Sequence, residues 1–147
     1  MTRSERLNRV AGHAENEQNE ASSQLAALQQ RLDAQETRLA DLREYLANYH
    51  RELDQARQGE VKASWLKNYA TFLDRLKQAV DQQENQVQAA RHDYERQLQV
   101  WKEKRSRTQA IAKVADRRRR QEARDEDRAE QRATDDLVLG NSLYRSI

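Results

Sequence analysis

The sequence predicts an all-α fold: a long two-helix antiparallel coiled-coil hairpin with a charged C-terminal helical overhang and a flexible tail. Three observations carry this expectation. The 147 residues include three Gly and no Pro, so there is little from which to build the tight turns of a sandwich, a barrel or a loop-rich enzyme. Only 36% of the chain is hydrophobic, against about 45–50% in an ordinary globular domain, while 35% is charged and the mean hydropathy is −1.23. Finally, the apolar residues fall on two heptad seams of equal span that flank a single short breaker.

The first seam steps alternately by four and three from Leu7, through Ala14, Ala21, Leu28, Leu42 and Tyr49, to Ala56. Thirteen of its fifteen positions are apolar, with Gln18 and Gln35 the exceptions. A 3.5-residue repeat kept for about seven heptads holds one stripe against a partner and implies a left-handed supercoil. The helix is expected to start near Thr2 or Ser4, with Ser4 as a candidate N-cap. The phase breaks at Arg57-Gln58-Gly59-Glu60, where Gly59 suits a helix C-cap or turn.

The second seam runs from Leu66 to Ala115 by the same steps, and eleven of its fifteen positions are apolar. Two seams of fifty residues around one turn match an intramolecular hairpin, whereas a parallel dimer imposes no such equality. The domain expectation is a hairpin over 1–135, with a first helix over about 3–57, a turn over about 58–62 and a second helix over about 63–135; 136–147 form the tail. A turn centred on Val61 pairs residue i with 122 − i: Leu53 with Tyr69, Leu46 with Leu76, Leu28 with Tyr94, Ala21 with Trp101. It sets Gln35 against Val87 and Gln83 against Leu39, polar interruptions that cost stability but fix register. At 1.5 Å per residue the rod is on the order of 75 Å long, and an elongated monomer is expected. Beyond Ala115 the second helix outruns its partner, and residues 116–136 have almost no apolar face. The apolar end, Leu137-Val138-Leu139 to Ile147, is a docking peptide or a disordered end.

Catalysis finds no support. His13, His50 and His92 lie in separate regions without metal-ligand spacing, and the absence of Cys removes thiolate sites and nucleophiles. There is no phosphate-binding glycine loop, and a two-helix rod offers no desolvated pocket to split the pKa values of a carboxylate pair. The expectation is a non-enzyme without cofactor or metal. No apolar run approaches the roughly 18 residues of a membrane span, so no direct membrane insertion is expected.

Two asymmetries point to partners. From Lys102 to Arg120 nine basic residues face two acidic ones, a local net of +7 in a chain whose net charge is +2. This stretch, ending in Arg117, Arg118, Arg119 and Arg120, reads as a solvated helix end or as a site for an acidic protein. Nucleic acid is disfavoured, because no aromatics are interleaved and acidic residues follow from Glu122 to Asp127. Five of the eight aromatics lie between 45 and 72: Tyr45, Tyr49, Trp65, Tyr69 and Phe72. Tyr49 and Tyr69 are on the seam; Tyr45, Trp65 and Phe72 lie beside it, either thickening the seam near the turn or forming a partner surface.

At these residues the sequence resembles the FliJ family, the small coiled-coil component of the bacterial flagellar type III export apparatus. The resemblance runs through Trp65-Leu66-Lys67-Asn68-Tyr69-Ala70-Thr71-Phe72-Leu73, Leu76, Ala79-Val80 and Gln82, then Trp101-Lys102-Glu103-Lys104, with Leu42, Tyr45 and Tyr49 on the first helix. It implies a hairpin similar to the coiled-coil part of the rotary ATP synthase stalk. The implied partners are the hexameric export ATPase FliI, the export-gate protein FlhA, the regulator FliH and export chaperones. The gate surface maps onto Leu42, Tyr45, Tyr49, Phe72, Leu76 and Ala79. Arg117–Arg120 are assigned to the ATPase ring, and the protein is placed in the cytoplasm, peripheral to the membrane at the flagellar base. The function expected is a stalk coupling ATPase to gate in flagellar protein export and assembly, and so in motility. The alternatives are an export escort and the equivalent stalk of a virulence secretion system.

Overall fold

The computed structural model describes residues 2–145. Two helices, α1 (Arg3–Arg57) and α2 (Ala63–Arg145), pack against each other, and the described residues contain no strand. All thirty seam positions read from the sequence are buried or half-buried. Contacts divide the chain into two compact units, Ala21–Trp101 and the remainder, Met1–Glu20 with Lys102–Ile147.

Within the Ala21–Trp101 unit, Leu32 and Leu39 of α1 and Val80, Val87 and Ala90 of α2 form the core. Leu42, Leu46 and Tyr94 pack onto it. Exposed ion pairs flank this seam: Arg31–Asp93 at 3.2 Å, Arg43–Glu84 at 2.9 Å and Arg91–Glu36 at 3.1 Å. Such pairs add little stability individually, but each joins α1 to α2 and so marks their register. The Gln24–Gln97 hydrogen bond lies one residue from the expected pairing.

The polar layer carries a bond that the register alone does not anticipate, joining Gln35 to Gln83. The Gln83 side-chain amide donates to the Gln35 side-chain oxygen at 2.6 Å and to the Gln35 backbone carbonyl at 3.0 Å. Their flexible stems reach diagonally along the seam, because Gln83 is buried and an unpaired amide there is costly. Replacing both with Leu is expected to raise the melting temperature, measured by circular dichroism, while relaxing the register that this pair specifies.

In the other unit, Ala14 and Ala115 are buried, and Thr108 donates to the Ala14 carbonyl at 3.1 Å, on the expected pairing. Lys104, an unlikely seam residue by charge, is accommodated by Glu17 at 3.0 Å. The α1 start is capped by Thr2 rather than Ser4. The Glu5 amide donates to the Thr2 hydroxyl at 3.2 Å, and the Thr2 amide donates to the Glu5 carboxylate at 3.1 Å. This is a reciprocal capping box, visible in the spacing Thr2-Arg3-Ser4-Glu5. Ser4 is inside the helix and buried, where its hydroxyl and its amide both donate to Glu122 of α2.

One expectation holds and one is corrected. Gly59 lies in the turn that follows α1, without a left-handed conformation. The α1 end instead tightens through bonds from Gln58 to the Gln55 carbonyl and from Gly59 to the Ala56 carbonyl, both 3.2 Å. Gly59 therefore acts through its poor helix propensity rather than through a positive φ. The second helix does not end near 135 but continues to Arg145. The segment from Glu122 is rich in helix formers and free of Pro, and it gains local support from Gln121 donating to Asp125 and Thr134 to the Glu130 carbonyl. Gly140 costs such a helix only about 1 kcal/mol.

Candidate functional site

The aromatic face lies in the Ala21–Trp101 unit, built by the last turns of α1 and the first of α2. Seam periodicity turns Leu42, Tyr49 and Leu76 inward, where they are half-buried. Residues beside the seam point outward, leaving Tyr45 59%, Phe72 44% and Trp65 41% exposed. Ala79, on the same flank as Phe72, is half-buried. The sequence thus separated the exposed rings from the packed ones correctly.

The structure adds order among these rings. Trp65 stacks on Tyr69 at 4.8 Å, Tyr69 tilts against Tyr49 at 5.7 Å, and Tyr49 meets Phe72 edge-on at 5.0 Å. These separations suit favourable aromatic pairs, each worth about 0.5–1.5 kcal/mol beyond area burial. The Tyr69 hydroxyl donates to the Glu52 carboxylate at 2.7 Å. Desolvation, and then this bond to an anion, push the hydroxyl from 10 to about 12. Its neutral form therefore supports the fold below pH 10, and that support is lost as pH rises through 12. The ladder runs from the exposed Trp65 to the exposed Phe72 through two half-buried tyrosines. Single-residue periodicity could not show it, since three of its members come from α2 and one from α1.

The arginines expected at the other site lie in the second unit, and all four are exposed. They are not equivalent. Asp116 holds Arg120 at 2.9 Å and Arg119 at 3.5 Å. Arg118 instead borders a groove with Arg3, Arg6, Leu7, Val10 and Val114. Arg117 lines a separate polar face with Lys113, Gln121 and Arg124. The residues contributed by α1 were missed in the sequence, where Arg3, Arg6 and Val10 read as ordinary positions outside the seam. Nearby, the Lys104 ammonium hydrogen-bonds and attracts Glu17, holding its carboxyl below the usual range. That contribution to stability is present at neutral pH and fades as acid protonates the group.

The histidines do not converge: His13 contacts Glu17 at 3.1 Å, and the Arg96 guanidinium donates to His92 at 2.9 Å. Among the described residues no group of metal-ligating side chains comes together, and no helix is long and apolar enough to cross a membrane.

Two long packed helices, an exposed aromatic face in one unit and a basic face in the other define a coiled-coil hairpin with surfaces suited to protein partners. The chain belongs to the FliJ family: the model described as Flagellar FliJ protein matches residues 3–144. It is accordingly a component of flagellar type III protein export. No curated protein and no solved structure matches the chain.

Proposed function

We propose that the protein is a coiled-coil stalk that couples the hexameric export ATPase FliI to the export gate FlhA. It acts at the inner face of the cell membrane, with FliH and export chaperones as further partners, and promotes export of flagellar subunits. The observation that carries this reading is the segregation of two unlike surfaces on a chain of this family. Tyr45 and Phe72 are exposed apolar anchors of the kind that dominate binding energy. Arg117–Arg120 are exposed charges of the kind that steer association with an acidic surface. The aromatic face, with Leu42, Tyr49, Leu76 and Ala79 behind its rings, is assigned to the gate, and the arginines to the ring.

The test is ATP hydrolysis by the purified ring with and without one equivalent of this protein. A stalk changes the rate and saturates near one chain per hexamer. An unchanged rate with retained binding to export chaperones points to an escort instead.

A further inference from the structure

We propose that Arg3, Arg6, Leu7 and Val10 of α1 and Val114 and Arg118 of α2 form a docking groove for an acidic amphipathic helix of a protein partner. The proposal rests on the reading above that this part of the chain meets the ATPase ring, and it names residues of α1 to which that reading gives no role. Val10 is 47% exposed and Val114 44%, two aliphatic side chains from different helices lining one groove. Leu7, half-buried, lines it as well. Three arginines border it, and none of the three forms an ion pair among the described residues.

The nearby acids explain why these arginines remain available. Glu5 is committed to the Thr2 amide in the capping box. Glu122 is taken by the amide and hydroxyl of Ser4. Asp116 is occupied by Arg119 and Arg120. These three carboxylates are directed to other donors and none pairs with Arg3, Arg6 or Arg118, which border an apolar strip. The complementary surface is a helix with aliphatic residues at i and i+3 or i+4, flanked by Asp or Glu. The binding charge then centres on Arg118 with Arg3 and Arg6, while Arg119 and Arg120, which share Asp116, contribute less.

The experiment uses the full chain and the purified hexameric ATPase, with affinity measured at low and physiological salt. Three double variants are compared: Arg3→Ala/Arg6→Ala, Val10→Ser/Val114→Ser and Arg119→Ala/Arg120→Ala. All six side chains are exposed, and helical content by circular dichroism confirms that each variant folds. The first two are expected to weaken binding at least tenfold, with the arginine variant losing most of its salt dependence and the valine variant keeping it. The third is expected to weaken binding less than the first does. Loss of binding in the third variant, with the first two intact, overturns the groove while leaving the ring reading standing. Absence of ring binding by the unaltered protein overturns the ring reading itself. Vesicles containing phosphatidylglycerol form the remaining arm: stronger binding to these than to the ring, lost in the first two variants, overturns a protein occupant in favour of an anionic membrane.

Discussion

Leu32→Asp is expected to destabilise the hairpin by about 3–5 kcal/mol, the cost of placing an unpaired carboxylate in an apolar core. Leu32 is 6% exposed and belongs to the core formed with Leu39, Val80, Val87 and Ala90. No cation lies among those neighbours to compensate a charge. Leu28→Asp, at a half-buried seam position, is expected to cost less, since its carboxylate retains partial access to water. Asp33→Leu is the control. Asp33 is exposed and loses only the hydrogen bond from Gln29, so its effect should stay within about 0.5 kcal/mol. Denaturant titration of the three variants checks the order, and equal midpoints for Leu32→Asp and Asp33→Leu would contradict the seam.

The second large effect is on binding. Tyr45→Ala together with Phe72→Ala is expected to abolish measurable association with the gate while the hairpin stays folded, its melting temperature lowered only modestly by loss of the Tyr49–Phe72 edge contact. The two rings are 59% and 44% exposed, so folding draws little from their burial. A partner that covers them gains about 2 kcal/mol or more per anchor, and losing both shifts a micromolar dissociation constant into the millimolar range. The interaction should be nearly insensitive to salt. Titration calorimetry against the cytoplasmic part of the gate protein measures this, and Tyr49→Ala serves as contrast. Tyr49 touches both Tyr69 and Phe72, so its removal should lower both stability and binding.

The heptad spacing made the buried stripes of both helices legible, because a 3.5-residue repeat leaves only one face for each long helix to bury. The outward rings were legible for the same reason: Tyr45, Trp65 and Phe72 sit off that repeat. What escaped the sequence depends on side chains reaching across to the other helix. Gln35 and Gln83 find each other because their stems lean along the seam. Ser4 serves α2 through Glu122 and leaves the cap to Thr2, a competition between two hydroxyls that composition alone cannot rank. The groove of Arg3, Val10 and Val114 arises only when two unremarkable helix faces are set side by side. The helix end near 135 failed on a different ground. Low apolar content signals the lack of a packing partner, not the lack of helical backbone, and local propensity carries α2 to Arg145.

The Glu52–Tyr69 hydrogen bond joins residues 17 apart, whereas Ser4 and Glu122 are separated by 118. Closing a chain segment loses entropy with the logarithm of its length, so contacts beside the turn form at the smallest entropic cost. Folding is thereby given a direction, nucleating at Tyr49, Tyr69 and Phe72 and zipping outward to the two ends. On the ribosome 118 residues separate Ser4 from its partner Glu122, so the start of α1 waits longest for its contacts. The nascent α1 exposes its leucine stripe until the matching part of α2 emerges, and capture by a holdase chaperone is expected to be strongest over residues 25–46.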